Sequence, residues 1–194
     1  MTYELVTIGS SWGGLDALER LLAALPADFP APVVIAQHRG AASGEGMFAD
    51  LLQRRSRFAV ADAEDKDRLE PGRVYVAPPD YHLLVQRGSL ALSIEAPVAF
   101  SRPSIDVLFE SAADAYADRL VAVVLTGAND DGAKGLLRVK ERGGYVIVQD
   151  PATAEQPAMP AAAVATGAAD LVLPLEEIGP CVAELCRGDV RSAV

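Results

Sequence analysis

Leu5-Val6-Thr7-Ile8-Gly9-Ser10-Ser11-Trp12-Gly13-Gly14-Leu15 is the stretch that decides the fold. Its first four residues are apolar or β-branched and run into glycine, the mark of a strand buried on both faces. From Gly13 onward, Leu15, Leu18, Leu21, Leu22 and Leu25 fall on one helix face, and Pro26 ends the run. A buried strand, a glycine-rich turn and an amphipathic helix make the opening of a parallel α/β unit.

The same alternation continues outward. Pro32 to Ala36 reads as a second buried strand, and Met47 to Leu52 as a helix. Val74-Tyr75-Val76, Leu83-Leu84-Val85 and Leu90-Ala91-Leu92 are short, turn-separated runs, and they predict an antiparallel ribbon over about 72–94. A helix is expected from Pro103, with Ile105, Leu108 and Ala112 on its inner face. Val121-Ala122-Val123-Val124-Leu125 is the strongest buried-strand signal. A helix from Ala133 to Arg142, a strand at Tyr145 to Val148, a helix near Pro160 to Ala165, a strand at Leu171 to Leu173 and a helix from about Glu176 to Cys186 complete the chain. The fold expected is a three-layer, doubly wound α/β domain over 1–194. Its sheet is mostly parallel, with helices on both faces and a small antiparallel ribbon.

Composition narrows the function. Lys and Arg number 17 against 27 Asp and Glu, a formal net charge of −10. Such a surface repels nucleic-acid backbones and anionic lipid, so neither is an expected partner. No apolar run approaches the ~20 residues that span a bilayer, and the N-terminus lacks the pattern of a signal peptide. The two cysteines, Cys181 and Cys186, are too few, with two histidines, to suggest zinc. A reduced, cytoplasmic protein without metal or cofactor is expected.

In doubly wound sheets, active sites lie beyond the carboxyl ends of the strands. Three strand ends carry reactive groups here: Ser11 after the first, His38 after the second, and Asp131 in the Thr126-Gly127-Ala128-Asn129-Asp130-Asp131-Gly132 loop after the central one. These are the residue types of a nucleophilic triad. Gly9-Ser10-Ser11-Trp12-Gly13 fits G-x-S-x-G between a strand and a helix, where free N–H groups could hold an oxyanion. Each residue also has an ordinary reading: Ser11 in a tight turn, His38 as a structural imidazole, Asp131 as the N-cap of the helix that follows. Three such coincidences at one sheet edge favour a site. The order Ser…His…Asp separates the chain from α/β-hydrolases. A dinucleotide site is disfavoured because Ser11 stands where G-x-G-x-x-G needs its middle glycine.

Ile8 to Gly14, Ile35-Ala36-Gln37-His38 and Leu125 to Ala133 resemble the catalytic domain of the chemotaxis methylesterase CheB. Further matches run through Tyr75 to Leu83, Arg102 to Phe109, Gln149-Asp150-Pro151, Met159-Pro160 and Ala165-Thr166-Gly167. The resemblance implies Ser11 as nucleophile, His38 as base and Asp131 as its orienter. It implies hydrolysis of glutamyl 5-O-methyl esters on the cytoplasmic helices of chemoreceptors, releasing methanol, and also deamidation of receptor glutamine. Backbone N–H groups near Trp12 and at Ala128 are candidates for the oxyanion. His82 and Arg102 are secondary candidates, at the rim and against an acidic receptor surface. There are departures: Trp12 replaces a small polar residue, and Arg39 and Ala128 stand where the family often has Met. Family members commonly carry an N-terminal receiver domain, and none precedes the first strand in this sequence; either the sequence is a piece of a longer protein, or the protein stands alone with a separate receiver-type regulator as partner. The alternative is an interaction module that kept the fold and lost turnover.

Overall fold

The structure, a computed structural model, describes residues 2–39, 44 and 46–188. The chain runs β1 (Leu5–Ser10), α1 (Gly14–Ala24), β2 (Val33–Gln37), α2 (Met47–Arg55), β3 (Ala59–Asp62) and β4 (Arg73–Val76). A hairpin of β5 (His82–Gln86) and β6 (Ser89–Ser93) follows, then α3 (Ile105–Tyr116) and β7 (Leu120–Val124). The last part is α4 (Ala133–Glu141), β8 (Tyr145–Gln149), α5 (Ala158–Ala165), β9 (Leu171–Leu173) and α6 (Leu175–Arg187).

Seven strands form one sheet in the order β3-β4-β2-β1-β7-β8-β9, with every pair parallel. Side chains alternate between its faces. Val6, Ile8, Val33, Ile35, Val121 and Val123 point to a core shared with α1, α2 and α6. Leu5, Val34, Ala36, Leu120, Ala122 and Val124 point to a second core shared with the hairpin, α3, α4 and α5. Covering both faces is what lets the strands be apolar throughout. From β1 the chain winds outward to β2, and later resumes at β7 on the other flank. The carboxyl ends of β1 and β7 therefore mark the topological switch point. No helix among the described residues is long and apolar enough to cross a membrane.

The three-layer, doubly wound fold is as expected, with three corrections. Val74-Tyr75-Val76 does not join the ribbon. It is β4, paired in parallel between β2 and β3, because Val74 and Val76 feed one core and Tyr75 the other. The ribbon is β5 and β6 alone. β3 was not expected; its sequence, Ala59-Val60-Ala61-Asp62, offers one strong strand former at a sheet edge. α3 starts at Ile105 rather than Pro103, since Ser104 is the residue whose side chain caps it, accepting from Val107 N–H at 3.5 Å.

Helices α3 and α4 are capped by each other. Asp106 of α3 accepts from Gly132 N–H (3.0 Å) and Gly135 N–H (2.6 Å) at the start of α4, both on Oδ1. Asp131, just before α4, accepts from Ile105 N–H (2.7 Å) and Asp106 N–H (3.0 Å) at the start of α3. Each carboxylate answers backbone donors that a helix start leaves unpaired. Burial raises the Asp106 carboxyl above its usual range; Gly135 N–H opposes this, and the nearby Asp131 charge adds to it. Its ionised form is thus penalised in the folded state, and the penalty is relieved as pH falls through the raised value. Asp106→Asn keeps Oδ1 as acceptor and removes the charge. It is expected to change stability at pH 7 by less than about 1 kcal/mol, whereas Asp106→Ala strands two N–H groups and costs about 1–3 kcal/mol. Urea unfolding of the two variants checks this; equal losses would mean that the charge, not the acceptor, matters.

Candidate active site

The three sequence candidates converge at the switch point. Ser10 sits opposite Gln37 in the β1–β2 register, and His38 N–H donates to Ser10 O at 3.0 Å. Ser11 N–H donates to Thr126 O at 3.0 Å, so the loop after β7 is stitched to the loop after β1. Ser11, His38 and the 126–131 segment thereby share one edge.

His38 Nε2 lies 2.7 Å from Asp131 Oδ2, and His38 Nδ1 lies 3.2 Å from the Asn129 side-chain amide. A carboxylate on one nitrogen and an amide donor on the other select one tautomer, with the proton on Nε2 and the lone pair on Nδ1. The imidazole is only 13% exposed and the Asp131 side chain not at all. Asp131 also accepts from Ser104 Oγ at 2.9 Å, in addition to the two α3 N–H groups. Burial pushes its carboxyl up, but His38 and the backbone N–H groups of Asp106 and Ile105 outweigh it. The net result is a carboxyl held below the ordinary range. Asp131 therefore does cap a helix, but α3 rather than α4, whose own N-cap is Gly132. That cap and the histidine contact use the same side chain.

Ser11 makes no side-chain hydrogen bond to His38 among the described residues. The basic nitrogen that remains for it is Nδ1, the reverse of the template in which the carboxylate takes Nδ1. Asn129 occupies that lone pair and must yield it when Ser11 Oγ approaches. Such contacts often tighten only with substrate bound.

The turn that carries Ser11 is held by residues that the sequence reading passed over. Gln37 accepts from Ser10 Oγ at 2.6 Å and donates to Ser11 O at 2.7 Å and His38 O at 3.0 Å. Thr126 Oγ1 donates to Trp12 O at 2.9 Å and accepts from Gln156 N–H at 2.8 Å. Gln149 Oε1 receives Thr126 N–H at 2.9 Å. The signal was available: Gln37 and Gln149 each end an apolar strand, and a buried amide must find partners. Two glycines make the fit possible. A Cβ on Gly14 would sit 2.0 Å from Gln37 Oε1, and one on Gly127 would sit 2.9 Å from Ser11 Cβ.

The secondary candidates part ways. Trp12 is 64% exposed, and its Nε1 donates to Glu155 Oε1 at 2.9 Å. Neither the Trp12 nor the Ala128 backbone N–H has an acceptor among the described residues. His82 is not at the rim. It is buried, accepts Ser104 N–H on Nδ1 (3.2 Å) and faces Ala96 O through Nε2 (3.1 Å). Its two nitrogens are spent on backbone groups. Arg102 is not free for an acidic partner either. Its guanidinium is tied to Asp80 Oδ1 (2.6 Å) and to the carbonyls of Ile94 (2.8 Å) and Glu95 (3.0 Å). The thiols lie on α6; burial pushes Cys186 up to about 12 and raises Cys181, so neither competes as a nucleophile. No group of three His, Cys, Asp or Glu among the described residues could hold a metal.

The chain is similar to several known proteins. A Leptospira interrogans protein, provisionally named a protein-glutamate methylesterase/protein-glutamine glutaminase, is 48% identical over 98% of this chain and 99% of its own length. A Pseudomonas aeruginosa protein, named protein-glutamate methylesterase/protein-glutamine glutaminase 2, is 44% identical over 91% of this chain and 51% of its own. The solved catalytic domain of the Thermotoga maritima CheB methylesterase superposes with a TM-score of 0.89 at 37% identity, covering 95% of this chain and all of that one. With the CheB methylesterase family model matching residues 6–182, the chain belongs to the CheB methylesterase family.

Proposed function

We propose that this chain is a serine esterase that hydrolyses glutamyl 5-O-methyl esters on chemoreceptors in chemotaxis, with receptor glutamine amides as a second substrate. The observation that carries the reading is the buried His38–Asp131 pair beside Ser11 at the switch point. The names of its relatives support the same reaction.

Ser11 Oγ attacks the ester carbonyl carbon while His38 Nδ1 takes its proton. The resulting oxyanion is received by the Trp12 and Ala128 N–H groups. Collapse expels methanol, which takes the proton back from His38 and leaves a glutamyl-serine ester. Water, deprotonated by His38, attacks that ester and releases the glutamate carboxylate and Ser11. Asp131 stays ionised throughout; it holds the ring in one tautomer and stabilises the imidazolium. The proposed substrates are the methylated helices of the receptor, met in the cytoplasm. Methanol released from a methyl-esterified receptor fragment tests the proposal. Release no faster than in buffer would overturn it and leave an interaction module.

A further inference from the structure

The loop between β6 and α3 carries an exposed aromatic on an unusual turn. Val98 and Ser101 exchange backbone hydrogen bonds of 3.1 and 2.8 Å, closing a two-residue turn. Its central residues, Ala99 (φ 47°) and Phe100 (φ 63°), both lie in the left-handed region. Turns of this kind favour Asn-Gly, because a side chain crowds the backbone at positive φ. Here the second position presents a fully exposed phenyl ring, with Ile94 and Val98 exposed on the same loop. Strained backbone that displays an apolar side chain points to use rather than packing.

The loop is braced from below. Arg102 grips the carbonyls of Ile94 and Glu95 and the Asp80 carboxylate, and His82 faces Ala96 O. A loop whose backbone is held before contact loses little freedom on binding, and aromatic side chains commonly anchor interfaces.

Its place in the fold names the occupant. Ser104, four residues after Phe100, donates to Asp131. An extended chain spans at most about 3.6 Å per residue, so Phe100 lies within about 14 Å of Ser104 along the same edge. Trp12, next to Ser11, is a second exposed aromatic of this edge. In a chain of net charge −10, these apolar residues select a partner by its apolar face rather than by acidic side chains.

We propose that the 94–102 loop, with Phe100 as anchor, docks the helical receptor segment that carries the scissile ester. The apolar face of that helix rests on the loop while the ester it carries reaches Ser11. This rests on the esterase reading above. The test compares wild type with Phe100→Ser and Phe100→Tyr on a methylated receptor fragment and on a small glutamate 5-methyl ester. For Phe100→Ser, KM for the fragment is expected to rise about tenfold or more with kcat little changed, and the fragment-to-small-ester ratio of kcat/KM to fall equally. Phe100→Tyr restores most of the loss. An unchanged KM, or an equal fall on both substrates, overturns the proposal. Binding of the fragment to Ser11→Ala, with and without Phe100→Ser, separates the two claims. Weaker binding with Phe100→Ser supports docking even if wild type releases no methanol; equal binding overturns docking even if it does.

Discussion

Ser11→Ala releases methanol from a methyl-esterified receptor fragment about 10⁴- to 10⁶-fold more slowly than wild type. Removing a nucleophile that works as a unit with its base costs most of the unit's contribution, and the residue left comes from binding and oxyanion donors. The structure makes this a clean experiment. The Ser11 side chain makes no hydrogen bond to His38 among the described residues, and its Cβ, which alanine keeps, is the Ser11 atom packed against Gly127. Its backbone remains held by Thr126 O and Gln37 Nε2. The melting temperature is therefore expected to stay within about 2 °C of wild type, since a buried surface is neither emptied nor left unpaired. Release at the wild-type rate would remove Ser11 from the mechanism, and the adjacent Ser10, locked to Gln37 at 2.6 Å, is not free to replace it.

Asp131→Asn is expected to damage both activity and stability, although it is nearly isosteric. Each carboxylate oxygen receives a backbone N–H: Oδ1 that of Asp106 and Oδ2 that of Ile105. An asparagine amide placed either way sets its NH₂ against one of these donors. It either faces Ile105 N–H and His38 Nε2, or faces Asp106 N–H and Ser104 Oγ. One unsatisfied buried donor costs about 1–3 kcal/mol. Activity should fall about 10³- to 10⁴-fold as the imidazole loses its fixed tautomer and the charge that stabilises its protonated form. The pH dependence gives a second signature. The Asp131 carboxyl is held low in the folded state, so its stabilisation is fully present above the unfolded value of about 3.9 and is lost as pH falls through the folded one. The stability gap between wild type and Asp131→Asn should therefore narrow below about pH 4. A gap that stays constant down to pH 2, by urea unfolding, would mean that Asp131 is not ionised in the native protein.

Much of this was legible from residue order. β1, β2 and β7 are continuous apolar runs, and that pattern alone implies a sheet covered on both faces. The strand-end rule places Ser11, His38 and Asp131 on one edge from the sequence alone. What sequence could not show was non-local pairing. Val74 to Val76 is too short for periodicity to separate a ribbon strand from a buried parallel one. β3 carries too little apolar pattern to be seen at all. Asp131 stands immediately before a helix, so capping that helix was the natural reading; its real backbone partners lie some 25 residues earlier in the chain. The orientation of His38 depends on Asn129, a residue that spacing rules do not distinguish from any other loop amide. For Arg102 and His82 the residue type suggests a site, but type says nothing about which carbonyls a side chain will find.

The crossed caps between α3 and α4 limit how this enzyme can be switched. Neither helix can slide or tilt without surrendering donors that only the other supplies, and the acid that steers the imidazole is one of the two clasps. A control element that pried the helices apart would have to break both clasps together and would unfold part of the second core. Control that leaves both clasps closed costs far less, because no helix start is then left with unpaired donors.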